Sequence, residues 1–216
     1  MTKQFLITRP NYGKELPYIY SFSKGIMAIA KEMQGLHVEE LDRKKATREN
    51  LESSLLTSKP KLVFLNGHGD GVSVWGDDDE IILDMNNIQL MNGRIVYALA
   101  CESLAKLGKI AVEKGVKAYV GYRGKFRWIV DPSRTSSPDK DKNAAPFRKV
   151  CHVLGKNLLE GVPAGKAVEQ TQKEYEKLIR NYGNSVDKYG DAPLIGLMLS
   201  WNLMFLGMEG DAKAKF

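Results

Sequence analysis

Apolar positions along this chain alternate between two spacings. Phe5–Thr8, Lys61–Asn66, Arg94–Ala100 and Val116–Tyr122 each centre on an unbroken apolar run, and His37–Leu41 and Ile81–Leu83 are shorter versions. Short apolar runs rich in Val, Ile, Phe and Tyr predict strands. Between them lie segments with helical spacing. Ser21–Gln34 carries Phe22, Ile26, Ile29 and Met33. Thr47 is a natural cap for a helix bearing Leu51, Leu55 and Leu56, with Asn50 three residues on. Leu104–Lys114 is predicted as a helix closed by Gly115. Pro146–Glu160 and Ala164–Arg180 are the last two helices by this criterion.

Strands alternating with helices predict an α/β fold, with a mostly parallel central sheet covered by helices on both faces. No compositional break divides the chain, so residues 1–216 are expected to form one domain. Gly67–Asp79 is rich in glycine and aspartate and is expected to be a loop. Asp131–Ala145, with two prolines, three serines and mixed charge, is expected to be an exposed loop. Leu194–Met208 is apolar, but it is shorter than a membrane span and contains Ser200, Asn202 and two glycines, so it is expected to be buried core.

Composition narrows the class. Hydrophobic residues make up 43% of the 216 positions, enough for a packed core. Two cysteines do not make a disulfide framework and suit a reducing, cytoplasmic setting. The apolar run after the N-terminus ends at Arg9-Pro10, too early for a secretory signal. The net charge of +6 invites a nucleic-acid reading. However, lysines and glutamates interleave in stretches such as Gln172–Lys177, the pattern of a solvated helix, and neither nucleic acid nor membrane is the expected partner. Three histidines and two cysteines show no metal-ligand spacing, so no metal is expected. The Gly67–Gly71 stretch lacks the lysine and hydroxyl of a phosphate loop, and no cofactor is expected.

The candidate chemistry lies at two strand ends. Val63-Phe64-Leu65-Asn66-Gly67-His68-Gly69 delivers an imidazole, and Val96-Tyr97-Ala98-Leu99-Ala100-Cys101 delivers a thiol. Open α/β sheets place their sites beyond the strand C-termini. A thiol beside an imidazole is a nucleophile with its acid/base. If a helix starts at Leu104, its dipole and free N–H groups would favour the Cys101 thiolate and hold an oxyanion. Cys151 shares a helix face with Phe147, Leu154 and Leu158 and is expected in the core, and the adjacent His152 points elsewhere.

The paired blocks, a strand ending in His-Gly and a later strand ending in Ala-Cys-Glu-Ser, resemble the caspase-like cysteine peptidases of clan CD, nearest the CHAT and gingipain-type groups. The resemblance implies a caspase-like three-layer sandwich and a cysteine endopeptidase acting on a protein or peptide. Cys101 would attack the peptide carbonyl and His68 would protonate the leaving amine. The amides of Gly69 and Cys101 would form the oxyanion hole. Leu99 stands where caspases carry glutamine, so a caspase-type first pocket is not expected. A strict preference for one residue before the cleaved bond is implied. Asp70, Asp77, Asp78, Asp79 and Asp84 are candidate partners for a basic residue, and Arg9, Arg123 and Arg127 for an acidic one, with a slight lean to Arg/Lys substrates. Self-cleavage in the 131–145 loop, at Arg134, Lys140 or Lys142, is also implied. The competing readings are a catalytically silent module of the same fold, for signalling or scaffolding, and a small-ligand-binding α/β domain.

Overall fold

The apolar runs form the strands of one sheet, and the computed structural model describes residues 2–183 and 190–216. Strands β1 (Lys3–Arg9), β2 (Leu36–Asp42) and β3 (Leu62–Asn66) are followed by three short ones, β4 (His68–Gly69), β5 (Val74–Trp75) and β6 (Ile81–Leu83). Then come β7 (Ile95–Leu99), β8 (Ala118–Tyr122) and β9 (Leu206–Gly210). The six-stranded sheet has the order β2-β1-β3-β7-β8-β9. Its pairings are parallel except for the edge strand β9, which runs antiparallel to β8.

Alternation along each strand sorts residues to two faces. Phe5, Ile7, Leu62, Phe64, Ile95 and Tyr97 join one apolar cluster. Their neighbours Leu6, Val63, Leu65, Val96 and Ala98 join the other. Helices α1 (Leu16–Glu32), α4 (Ala145–Leu159) and α5 (Ala164–Gly183) cover the first face, and α2 (Arg48–Thr57) and α3 (Leu107–Glu113) cover the second. Thr47 caps α2 as its sequence predicts, its hydroxyl accepting from the Asn50 amide at 3.3 Å. The fold is therefore α/β, with a mostly parallel sheet between two helical layers.

Four expectations need correction. The 67–79 segment is not only a loop. It holds β4 and β5, and β5 pairs antiparallel with β4 on one side and β6 on the other in a small three-stranded ribbon. The helix expected from Leu104 begins at Leu107, because residues 101–106 are turns and the amides of Glu102, Leu104 and Leu107 bond to other segments. Leu104 N–H donates to the Tyr122 carbonyl and Leu107 N–H to the Gly71 carbonyl. The 194–208 segment splits into α6 (Ala192–Phe205) and β9 and is buried on one side only. Ile195, Leu199 and Asn202 point inward, while Leu194, Leu197 and Met204 are exposed, because α6 packs on the body through a single face. Among the described residues no helix is long and apolar enough to cross a membrane.

The 131–145 loop is exposed at 132–136 but pinned beyond it. Buried Asp141 accepts from Tyr18 Oη at 2.8 Å and from the amides of Asp131, Asn143 and Ala144. Asp139 is held by Ser21 and Lys24 of α1.

Candidate active site

The site forms where the chain reverses direction across the sheet. From β1 the path goes through α1 to the outer strand β2, then returns through α2 to β3 on the other side of β1. This switch opens a crevice beyond the strand C-termini. A cavity of about 110 Å³ occupies it, lined by Glu15 and Ile19 after β1, Gly67 and His68 after β3, Leu99 to Cys101 at the end of β7, and Phe126 and Trp128 after β8.

Strand register carries the thiol and the imidazole to neighbouring strand ends. β3 and β7 pair with Asn66 opposite Leu99, so His68 and Cys101 each lie two residues past the last paired position. Neighbouring strands lie about 4.8 Å apart. Gly67 N–H still donates to the Leu99 carbonyl at 3.3 Å, carrying the alignment toward the site. The flanking glycines follow from crowding. A Cβ on Gly67 would stand 1.9 Å from the Trp75 carbonyl oxygen, and one on Gly69 would stand 2.8 Å from that of Cys101. Neither needs a left-handed backbone, so close approach explains them rather than conformational freedom.

The residue after the thiol carries the unusual backbone. Glu102 has φ of 56°, uncommon for a side chain of its kind and typical of strained functional turns. It turns the chain sharply out of β7 and prevents a helix from starting there. Glu102 N–H is tied to the Gly124 carbonyl, while the Cys101 amide has no partner among the described residues. The Cys101 amide is thus available to an incoming oxygen.

The electrostatics differ from expectation. Cys101 lies several residues before α3, so no helix dipole acts on it. Burial pushes its thiol above the ordinary value. Glu102 adds to the rise, and contact with the Phe126 backbone and the charges of Lys125 and Arg127 oppose it. The sulfur lies 4.0 Å from the Phe126 carbonyl oxygen. His68 pairs with Trp75 across the ribbon. Its ring meets the edge of Tyr12 at 6.3 Å.

The charged residues expected at the pocket are committed elsewhere. Asp70 closes its own turn, accepting from the amides of Val72 and Ser73 and from the Ser73 hydroxyl. Asp79 bonds to Tyr12. Asp84 is gripped by both arms of the Arg48 guanidinium at 3.0 and 3.1 Å, which holds its carboxyl below the usual range. Asp77 and Asp78 do not line the cavity. Arg9 is buried, ion-paired to Glu40, bonded to Ser23 and stacked on Tyr20. Arg123 pairs with Glu209 at 2.7 Å, and Arg127 lies over the Trp201 ring. Arg9, Asp84 and Arg123 have found counter-charges, Arg127 a ring, and Asp70 and Asp79 hydrogen-bond donors, all nearer than a substrate would be.

Sequence reasoning missed Glu15. It sits at the N-terminus of α1 on the cavity lining, and among the described residues its carboxylate has no ion pair or hydrogen bond. Its position after β1 is the available signal, since β1 flanks the switch. Phe126 and Trp128 were also missed. They sit on an irregular segment clamped by α6, where Asn202 bonds to the amide and carbonyl of Arg127 at 2.9 and 2.6 Å and Trp201 Nε1 donates to the Lys125 carbonyl. Trp128 Nε1 is buried with no partner among the described residues.

Cys151 lies in the core as expected, and burial pushes its thiol up to about 12. Among the described residues no group of three or more His, Cys, Asp or Glu side chains is placed to hold a metal ion. No protein-family model matches the sequence, and a search of curated proteins finds no match.

Proposed function

We propose that the chain is a cysteine endopeptidase that uses Cys101 and His68 and prefers Lys or Arg before the cleaved bond. One observation carries the reading. The thiol and imidazole sit at equivalent positions past adjacent parallel strands, border one cavity, and share it with the unpaired carboxylate of Glu15. Ile19, Leu99, Phe126 and Trp128 give that cavity apolar walls. Such walls suit the methylene stem of a basic side chain whose head meets a carboxylate. The sequence resemblance to caspase-like peptidases supports the same assignment.

In this mechanism the Cys101 proton passes to His68 as Sγ bonds to the substrate carbonyl carbon. The developing oxyanion takes the Cys101 amide, with Gly69 beside it. The tetrahedral intermediate collapses, the C–N bond breaks, and the amine leaves with the proton from His68. Water, deprotonated by His68, hydrolyses the thioester and regenerates the thiol. Because burial raises the Cys101 thiol, transfer to His68 accompanies attack rather than preceding it.

The raised thiol also favours a second reading, a catalytically silent module of the same fold. Peptidyl acyloxymethyl ketones bearing Lys, Arg, Asp or Asn, followed by mass spectrometry on wild type and His68→Ala, separate the two. The peptidase reading expects the Lys and Arg reagents to label Cys101, with labelling reduced about 100-fold or more without His68. Labelling by none of them, with reagents active on a control protease, would establish the silent module.

A further inference from the structure

The opposite end of the sheet, at the strand N-termini, concentrates basic side chains. Two cavities, of about 160 and 380 Å³, meet there at Lys61. Lys3, Lys117 and Lys215 border the first, and Lys59 and Arg94 border the second. Lys3 opens β1, while Lys61, Arg94 and Lys117 immediately precede β3, β7 and β8. The patch therefore lies at the strand N-termini, a full strand length from Cys101. It contains six cations, equal to the formal excess of +6 on the whole chain.

Neither cavity has an Asp or Glu among its lining residues. Among the described residues none of these six cations is ion-paired. Lys3 donates to the Phe216 main-chain oxygen at 3.0 Å and covers its ring. Arg94 is the built element. Its terminal nitrogens bond to the carbonyls of Leu90, Asn92 and Leu55, and its Nε is buried without a partner among the described residues. A half-buried guanidinium neutralised only by carbonyl dipoles is unfavourable, and an anion in the adjoining cavity relieves it. Clustered like charges also repel one another unless an anion screens them.

We propose that this end binds a compact soluble anion carrying two or more phosphate groups, with Lys61 at the centre, Lys117 and Lys215 on one side, and Lys59 and Arg94 on the other. Two joined hollows suit separate phosphate groups on one small molecule. Flexible lysines serve as point charges for them. A single nucleic-acid strand would call for open aromatic platforms, and the Phe216 ring that lines this patch is covered by Lys3. The proposal does not depend on the peptidase reading.

Titration calorimetry of the full chain with inorganic tripolyphosphate tests it. Tripolyphosphate is expected to bind at least about tenfold tighter than orthophosphate and to weaken as salt rises. Lys61→Glu and Lys117→Glu are each expected to weaken it by about tenfold or more. Lys177→Glu, the same charge change on the far half of α5, beyond Tyr175 and its bond to Tyr122 at the other end of β8, is expected to change it less than about twofold. Lys61, Lys117 and Lys215 are exposed side chains, and Lys215→Glu is a further variant should one of the others melt early. Absence of binding at millimolar tripolyphosphate overturns the proposal, as does equal weakening by Lys177→Glu. Tighter binding to single-stranded DNA or to phosphatidylserine vesicles, abolished by Lys61→Glu, overturns it in favour of a macromolecular or membrane ligand.

Discussion

Cys101 stands where β7 leaves the sheet, beside a cavity that His68 also lines, whereas Cys151 faces inward from α4 among Tyr97, Tyr122 and Tyr175. Burial raises both thiols. What separates them is the cavity beside Cys101 and, on the proposed reading, a destination for its proton. Around Cys151 the neighbours are phenols that are themselves pushed up by burial, with Tyr122 and Tyr175 bonded to each other at 3.1 Å. Around Cys101 are a free amide, two nearby cations, Lys125 and Arg127, and a cavity that His68 also lines. A depressed resting pKa is therefore not the feature that marks the candidate nucleophile. Access and a proton acceptor mark it instead.

Substitution gives the widest separation. Cys101→Ala is expected to reduce turnover of a Lys-containing peptide by about 10⁴-fold or more, while Cys151→Ala retains it within about threefold. Steady-state kinetics on purified variants reads both. Comparable losses in the two would erase the distinction.

Alkylation sharpens the comparison without substrate. Because the Cys101 thiol is raised, its iodoacetamide rate is expected to climb about tenfold per pH unit from 7 to 9, following the thiolate fraction. Cys151 is expected to stay unmodified in the folded chain over that range. A Cys101 rate already flat at neutral pH would mean a thiolate at rest, and proton transfer to His68 would then precede substrate.

Glu15→Gln probes the cavity. Removing the carboxylate is expected to reduce kcat/KM for Lys and Arg substrates by about 10- to 100-fold, the worth of one charge-assisted contact. The alkylation rate of Cys101 should be unchanged. Full retention of basic preference would place the specificity elsewhere.

The smallest effect concerns stability. Cys151, Tyr97, Tyr122 and Tyr175 all have folded pKa values above their ordinary ones. Groups raised by folding contribute stability that is complete below their unfolded pKa and lost as pH climbs toward the folded one. Denaturant midpoints are therefore expected to hold up to about pH 9 and to fall above it, by about 1.4 kcal/mol per pH unit for each group that titrates. Cys151→Ala should remove the earliest part of that decline, at a cost of about 1–2 kcal/mol for the lost packing. An unchanged alkaline profile in the variant would show that the phenols alone set it.

Much of this architecture was legible from local pattern. Leu62 to Leu65 alternates between two apolar clusters because side chains on a strand alternate faces, so an apolar run without polar interruption announces helices on both sides. The same reasoning located His68 and Cys101, since both follow such runs. It failed where a residue's partner is distant in sequence. Arg9 is claimed by Glu40 on a neighbouring strand and Asp84 by Arg48 on α2. The helix expected from Leu104 is delayed because Glu102 adopts a left-handed turn and the following amides bond to the Tyr122 and Gly71 carbonyls.

The sequence by itself determined the parallel strands of the large sheet, their two buried faces, and the thiol and imidazole beyond two of their ends, because periodicity and burial are properties of consecutive residues. Only the tertiary structure decided that Glu15, Phe126 and Trp128 close a cavity around that pair and that lysines from four separate segments gather at the far end. Those groupings arise from the order in which the crossovers return each strand to the sheet, and no window of the chain records that order.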